Sequence, residues 1–193
     1  IRPVTPADSP VLSTICLETG AAGASAASLH TIPTLLGLVY AEPYAHLKNA
    51  WGFVLEEQTG SRTDVVGYIL GALDTEAYEK ELETSWWPSV REAHPISLVH
   101  HDPSVDPSNQ PLSPADIRLI QLFHIPPKTP AQLARLVPAH MHINLLRRCQ
   151  GKGYGRKLIE RAIEHIREQG HAYNLSIDPA NTLAREFYLH MGY

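Results

Sequence analysis

This 193-residue sequence has few cysteines, no long apolar run and little net charge, and each shortage closes a class. Two cysteines, Cys16 and Cys149, cannot build the disulfide framework of a small secreted domain. A reducing, cytoplasmic setting is the expectation. No run of about 18 apolar residues occurs, so no transmembrane helix is expected. No charged n-region with an apolar h-region opens the chain, so no signal peptide is expected either. The net charge is −4 and the isoelectric point is near 6.3, which argues against nucleic acid as a partner. What is present is an ordinary globular composition, 44% apolar. The length suits one domain with a sizeable core and would cramp two.

Residues 1–10 read as a short strand and a turn, with Asp8 or Ser9 capping a helix that has Pro10 at its first position. A further helical stretch from Thr31 is broken by Pro43. "WGFVLEE" and "VVGYILGAL" read as two strands joined by the polar turn "QTGSRTD". A helix capped by Asp74 or Thr75 follows, interrupted at Pro88. Residues 95–114 are rich in Pro, Ser and Asp and read as a long surface loop. "PAHMHINLL" alternates, with Met141, Ile143 and Leu145 on one face and His140, His142 and Asn144 on the other. From Tyr154 the spacing turns helical until Gly170. "AYNLSI" reads as a strand and residues 181–193 as a helix. The expected fold class is α/β (α+β): a mixed sheet whose C-terminal half is a βαβα unit.

The stretch "CQGKGYGRKL" places Gly151, Gly153 and Gly155 at a helix entrance. A dinucleotide fingerprint, G-x-G-x-x-G, would need glycine at 156, which is arginine. A phosphate loop of the G-x-x-x-x-G-K-[ST] type fails as well, because no glycine here precedes lysine and a hydroxyl residue. What remains is Gln150-x-x-Gly153-x-Gly155, whose backbone N–H groups can converge on an anion ahead of a helix N-terminus. Arg147, Arg148, Lys152 and Arg156 add positive charge. This suits a pyrophosphate with one further phosphate; a glycine-rich turn with a solvated basic face is the alternative.

Taken together, "HMHINLLRRCQGKGYGRKLI" and "YNLSIDPANTLAREFYLHMGY" resemble the GNAT superfamily of acetyl-CoA-dependent N-acetyltransferases. Its signature is a strand, then R/Q-x-x-G-x-G/A opening a helix, then a strand, then N-x-x-A-x-x-F-Y-x-x-x-G-F/Y. Asn181, Ala184, Phe187, Tyr188, Gly192 and Tyr193 fall in step with the second motif. The resemblance covers residues 138–193, and the front of the chain is similar to the family's first three strands. A narrower likeness, through "ETSWWPSVREAHP" and "PAHMHINLL", is to a bacterial and fungal branch similar to the acetyltransferase-like C-terminal domain of O-GlcNAc hydrolases. The resemblance implies one GNAT domain over residues 1–193, lacking the family's last strand or strands. It also implies acetyl transfer from acetyl-CoA to a small primary amine by direct attack, with an amino sugar as the first guess. Fusion to or association with a glycoside hydrolase is the implied partnership, and a homodimer is open. No nucleic acid, membrane or metal is implied. A catalytically weak binding module beside a sugar hydrolase is the second reading.

Residue by residue, the resemblance puts Gln150, Gly151, Lys152, Gly153, Tyr154, Gly155 and Arg156 around the pyrophosphate. Asn144, Leu145 and Leu146 offer backbone groups to the pantetheine arm, with the Leu146 N–H as oxyanion donor. Asn181 contacts the arm or caps a helix. Tyr188 protonates the leaving thiolate or packs in the core. The strand before the loop carries no carboxylate, so the base falls to His142; Asn144 stands where the narrower branch is expected to carry aspartate. Cys149 reads as structural. Tyr44, Tyr78, Trp86, Trp87 and the loop 100–106 are candidates for the acceptor pocket or for ordinary packing.

Overall fold

The computed structural model describes residues 1–100, 111–136, 138–170, 173–175, 185–186 and 188–189. Among the described residues, five strands form one sheet in the order β1 (Arg2–Pro3), β2 (Trp51–Thr59), β3 (Arg62–Ala72), β4 (Ala139–Leu145) and β5 (Tyr173–Leu175). Neighbours are antiparallel from β1 to β4, and β5 runs parallel to β4. The helices are α1 (Ser9–Thr19), α2 (Leu35–Tyr40), α3 (Pro43–His46), α4 (Thr75–Glu81), α5 (Trp87–Ala93), α6 (Pro114–His124), α7 (Ala131–Leu136) and α8 (Tyr154–Glu168). None of the described helices is long and apolar enough to cross a membrane. The α/β reading of the sequence holds.

The sheet separates two cores. On one face Leu12, Ile15, Leu35, Tyr68, Leu70, Ile120 and Phe123 are sealed beneath α1, α2 and α6. On the other, Leu158, Ile159, Ala162, Ile163 and Ile166 of α8 cover Ile69, Ala139 and Met141. Each such Leu or Ile stabilises by roughly 1.5–3 kcal/mol when fully buried. The alternation of β4 decides which core each of its residues enters. Met141, Ile143 and Leu145 meet the α8 side, while His140 and His142 lie among Tyr44, Tyr68 and Tyr78.

Local expectations fail at two places for identifiable reasons. Asp8 precedes α1 but does not cap it. Its carboxylate accepts Nη1 and Nη2 of Arg2, both at 2.8 Å, with Thr5 N–H and Oγ1 at the same distance. A bidentate, charge-assisted pair outcompetes a lone cap bond. The seven-residue turn 58–64 also closes further than its polarity suggests. Pairing continues to Thr59↔Arg62, leaving only Gly60 (φ 62°) and Ser61 at the tip. Elsewhere the punctuation holds. Asp74 accepts the Ala77 N–H, Ser113 accepts the Asp116 N–H, and Pro43, Pro88 and Pro114 sit at helix starts.

Candidate active site

Leaving β4, the chain makes a single turn of 3-10 helix at Arg147–Cys149 and then enters the glycine stretch. Gly151 and Gly153 adopt φ of 71° and 79°, the left-handed region where a side chain is strained. A Cβ built at either would meet nothing within 4 Å, so the concave side of the loop is open space. Gly153 is the N-cap of α8, and no side chain caps that helix. Among the described residues no backbone acceptor meets the N–H groups of Gly151, Lys152, Gly153, Tyr154, Gly155 and Arg156. Unpartnered donors, a glycine cradle and the positive end of a 15-residue helix fit a pyrophosphate. Gln150 enters differently. Its N–H is taken by the Arg147 carbonyl (3.2 Å), and its Nε2 donates to the Leu145 carbonyl (2.8 Å). The basic field is also thinner than the sequence suggests. Arg148 turns to Glu57 (3.3 Å) and Arg156 to Glu160 (3.5 Å), while Arg147, Lys152 and Lys157 make no ion pair among the described residues.

The backbone of β4 sorts Asn144, Leu145 and Leu146 into two directions. Leu146 N–H donates to the Val66 carbonyl at 3.0 Å, in line with the register Gly67↔Leu145. Bonding residues alternate along an antiparallel pair, so His140, His142, Asn144 and Leu146 aim their peptide groups at β3. Ile143 and Leu145 aim theirs at the opposite edge, where the described pairing with β5 spans only Ala139↔Tyr173 to Met141↔Leu175. The expected oxyanion donor, Leu146 N–H, is therefore spent within the sheet. The Leu145 N–H points to the opposite edge.

The polar face of β4 forms one wall of a cavity of about 690 Å³. Its other walls come from the end of α1, residues 20–30, α2 and α6. His142, Ile143 and Asn144 line it from the strand, and Tyr188, His30 and Arg118 from elsewhere. The aromatic residues expected at an acceptor pocket are not in this lining. Trp87 stacks on Phe123 in the core, Trp86 Nε1 donates to the Leu38 carbonyl, and Tyr44 stacks on Tyr78. Residues 101–106 of the loop, and Asn181, lie outside the described residues.

The two strand histidines differ. Thr75 Oγ1 donates to the Pro138 carbonyl, so toward His140 Nδ1 (2.7 Å) it acts as acceptor, and Tyr44 OH (3.0 Å) donates to Nε2. His140 thus spends both ring nitrogens in a neutral tautomer. His142 has its Nε2 sealed from solvent with no hydrogen-bond partner among the described residues. Burial, reinforced by His140 and opposed by the Tyr40 backbone, pushes the His142 imidazole down to about 4. It is neutral near pH 7, yet has little affinity for a proton. Burial pushes the Tyr188 phenol up to about 12, so it keeps its proton. Cys149 is fully buried, its thiol raised by burial and then by Glu57, whose Oε1 lies 3.9 Å away. Among the described residues no three His, Cys, Asp or Glu side chains form a metal cluster.

A buried pair outside the sequence expectations completes the cavity. His30 Nδ1 lies 2.7 Å from Asp116 Oδ1, with side-chain exposures of 4% and 0%. Asp116 Oδ2 also accepts from Thr31 N–H (2.7 Å) and Ile32 N–H (3.2 Å). Burial pushes this carboxyl up, but the His30, Thr31, Ser113 and Ile32 hydrogen bonds outweigh it and hold it below the usual range. Nothing local announces the pair, because its members lie 86 residues apart.

Two comparisons bear on identity. Residues 130–193 match the model of the acetyltransferase (GNAT) family. The crystal structure of SsHAT superposes on the whole of this chain and on 91% of its own, with a TM-score of 0.79 and 33% identity. Sequence and fold agree, and the chain belongs to the GNAT family of acetyltransferases, whose acetyl donor is acetyl-CoA.

Proposed function

We propose that this chain transfers the acetyl group of acetyl-CoA to a primary amine held in the cavity beside β4. The observation that carries the reading is the meeting of donor loop and cavity at one strand end. Asn144 lines the cavity, and the N–H donors of residues 151–156 begin a few residues further on. The donor supplies an acetyl thioester. Its pyrophosphate would rest on the backbone of Gly151, Lys152, Gly153, Tyr154, Gly155 and Arg156, with Gln150 holding the loop to Leu145. Asn181 would meet the pantetheine arm.

The amine nitrogen attacks the thioester carbon, forming C–N and breaking C–S, with no acyl-enzyme. Leu145 N–H faces the developing oxyanion; a donor of this kind is worth roughly 3–4 kcal/mol. Tyr188 keeps its proton until the departing thiolate takes it. Asn144 is braced by its Nδ2 bond to Thr19 Oγ1 and can orient the acceptor. His142 serves as a neutral wall group, and its low proton affinity suits hydrogen bonding better than proton removal.

The narrower resemblance places amino sugars first in the acceptor panel and a glycoside hydrolase first among partners. Calorimetry with acetyl-CoA, then a free-thiol assay over glucosamine, other amino sugars, polyamines and lysine peptides, tests the reading. Binding with turnover of at least one amine is expected. Binding without turnover favours a recognition module, which the absence of a carboxylate on β4 already suggests as the second reading. No binding removes the enzyme.

A further inference from the structure

The transfer reading needs a group that removes a proton from the acceptor ammonium, and β4 does not supply a good one. His140 has both nitrogens occupied, and His142 has its Nε2 sealed. We propose that His30, oriented by Asp116, is the general base of this site. This inference rests on the amine-transfer reading and deepens it.

His30 joins Asn144 and Tyr188 in the lining of the cavity, which brings it to the side of the proposed acceptor. Asp116 is fully buried, ionised and held by two backbone N–H groups, so it is a fixed acceptor. Such an acceptor 2.7 Å from Nδ1 keeps the ring proton there and leaves the Nε2 lone pair as the basic site. The same carboxylate stabilises the imidazolium that forms when Nε2 takes a proton. A base oriented by a third group is the arrangement that general-base catalysis requires. The Thr31 and Ile32 bonds to the same carboxylate prevent the pair from drifting.

The proton count closes. An ammonium acceptor loses two protons on becoming an amide. The first passes to His30 Nε2 and then to solvent, and the second, by way of Tyr188, ends on the departing thiolate. The groups that face the cavity alongside His30 set its response to pH: Asp116 beneath it, Arg118 on α6, His142 on β4, Tyr40 on α2, and Tyr188. Of these, Asp116 is held as the carboxylate, Arg118 is a cation, and His142 and the phenols are uncharged near neutrality.

Two measurements on the intact protein test this. First, diethyl pyrocarbonate, which acylates unprotonated accessible imidazole nitrogens, is applied at pH 7 and mapped by peptide mass spectrometry. His30 is expected to react well before His142. A His30 that stays unmodified while the protein is folded overturns the proposal. Second, His30→Asn retains a donor at the place of Nδ1, so any tether to Asp116 survives, but lacks the basic nitrogen. Its kcat is expected to fall on the order of 10²–10⁴-fold, with acetyl-CoA affinity and Tm nearly unchanged and the acid limb of the kcat/KM profile lost. Equal turnover by wild type and His30→Asn overturns the dyad alone. A wild type that acetylates no amine in the panel overturns the transfer reading, and the base assignment falls with it.

Discussion

The proposed donor loop and the proposed acceptor cavity meet at β4, yet one draws on the single run 150–156 and the other on α1, α2, α6, β4 and Tyr188. A loop that binds through peptide N–H groups needs glycine where φ is positive and little else. A cavity that binds through side chains and volume is one that only packing brings together. A backbone site can therefore be read from spacing, whereas a side-chain site of this kind requires the fold.

Breaking the donor end should produce the largest effect. Gly153→Asp forces a side chain into φ 79° and sets a negative charge where phosphate would rest. Strain alone costs on the order of 1–3 kcal/mol, and repulsion adds to it. Acetyl-CoA affinity by calorimetry should weaken roughly 10²–10³-fold; unchanged affinity would remove the loop assignment. Gly60→Asp is the matching control. It meets similar strain at φ 62° in open space at the hairpin tip, so it should lower Tm and leave the affinity alone.

Breaking the chemistry between the two ends comes next. Tyr188→Phe should lower kcat about 10²-fold with acetyl-CoA affinity intact. Because burial raises this phenol to about 12, the wild type should show no loss of turnover from Tyr188 between pH 7 and 10. An alkaline fall within that window, abolished in Tyr188→Phe, would contradict the burial argument. Equal turnover by the variant would remove the acid role.

Much of the donor half was legible because its cues are local: the alternation of residues 139–145, the glycines at 151 and 153, and helical spacing from Tyr154. The helix cap at Asp74 and the helix interruptions at Pro43 and Pro88 were legible for the same reason, although both prolines turn out to open new helices. The direction of each peptide group in β4 was not legible. It follows from the register with β3, which commits the Leu146 N–H to the Val66 carbonyl and leaves Leu145 N–H as the donor proposed for the oxyanion. On the acceptor side the sequence left Tyr44, Tyr78 and Trp87 open between pocket and packing, and only the fold shows Tyr44 stacked on Tyr78 and Trp87 on Phe123, outside the cavity lining. His30 and Asp116 gave no signal, since neither belongs to a motif and they lie 86 residues apart.

A smaller effect separates framework from site. Asp8 is held down to about 2, chiefly by its Arg2 hydrogen bonds. Its folded value is depressed, so the stability it contributes is fully present above its unfolded value near 4 and is lost as pH falls toward about 2. Asp8→Asn should cost about 1–2 kcal/mol in urea unfolding at pH 7, a figure reduced because Arg2 is partly exposed. Wild type and variant should converge in stability near pH 2. Acetyl-CoA affinity should not move, because β1 lies across the sheet from the donor loop.

The smallest expected effect is at Cys149, directly before the loop. A thiol there invites an acyl-enzyme mechanism, with acetyl passing first to sulfur. The local physics opposes it. Sγ is fully buried, and burial and the neighbouring Glu57 carboxylate both disfavour the thiolate. Direct attack by the amine needs no such nucleophile. Cys149→Ala should therefore keep kcat within about twofold while losing about 1 kcal/mol of stability to the vacated volume. Initial-rate kinetics should show intersecting lines for acetyl-CoA and amine in both proteins. Parallel lines, together with a dead Cys149→Ala variant, would instead place the chemistry at the thiol, and the cavity would then have to present its amine to Cys149 and not to the edge of β4.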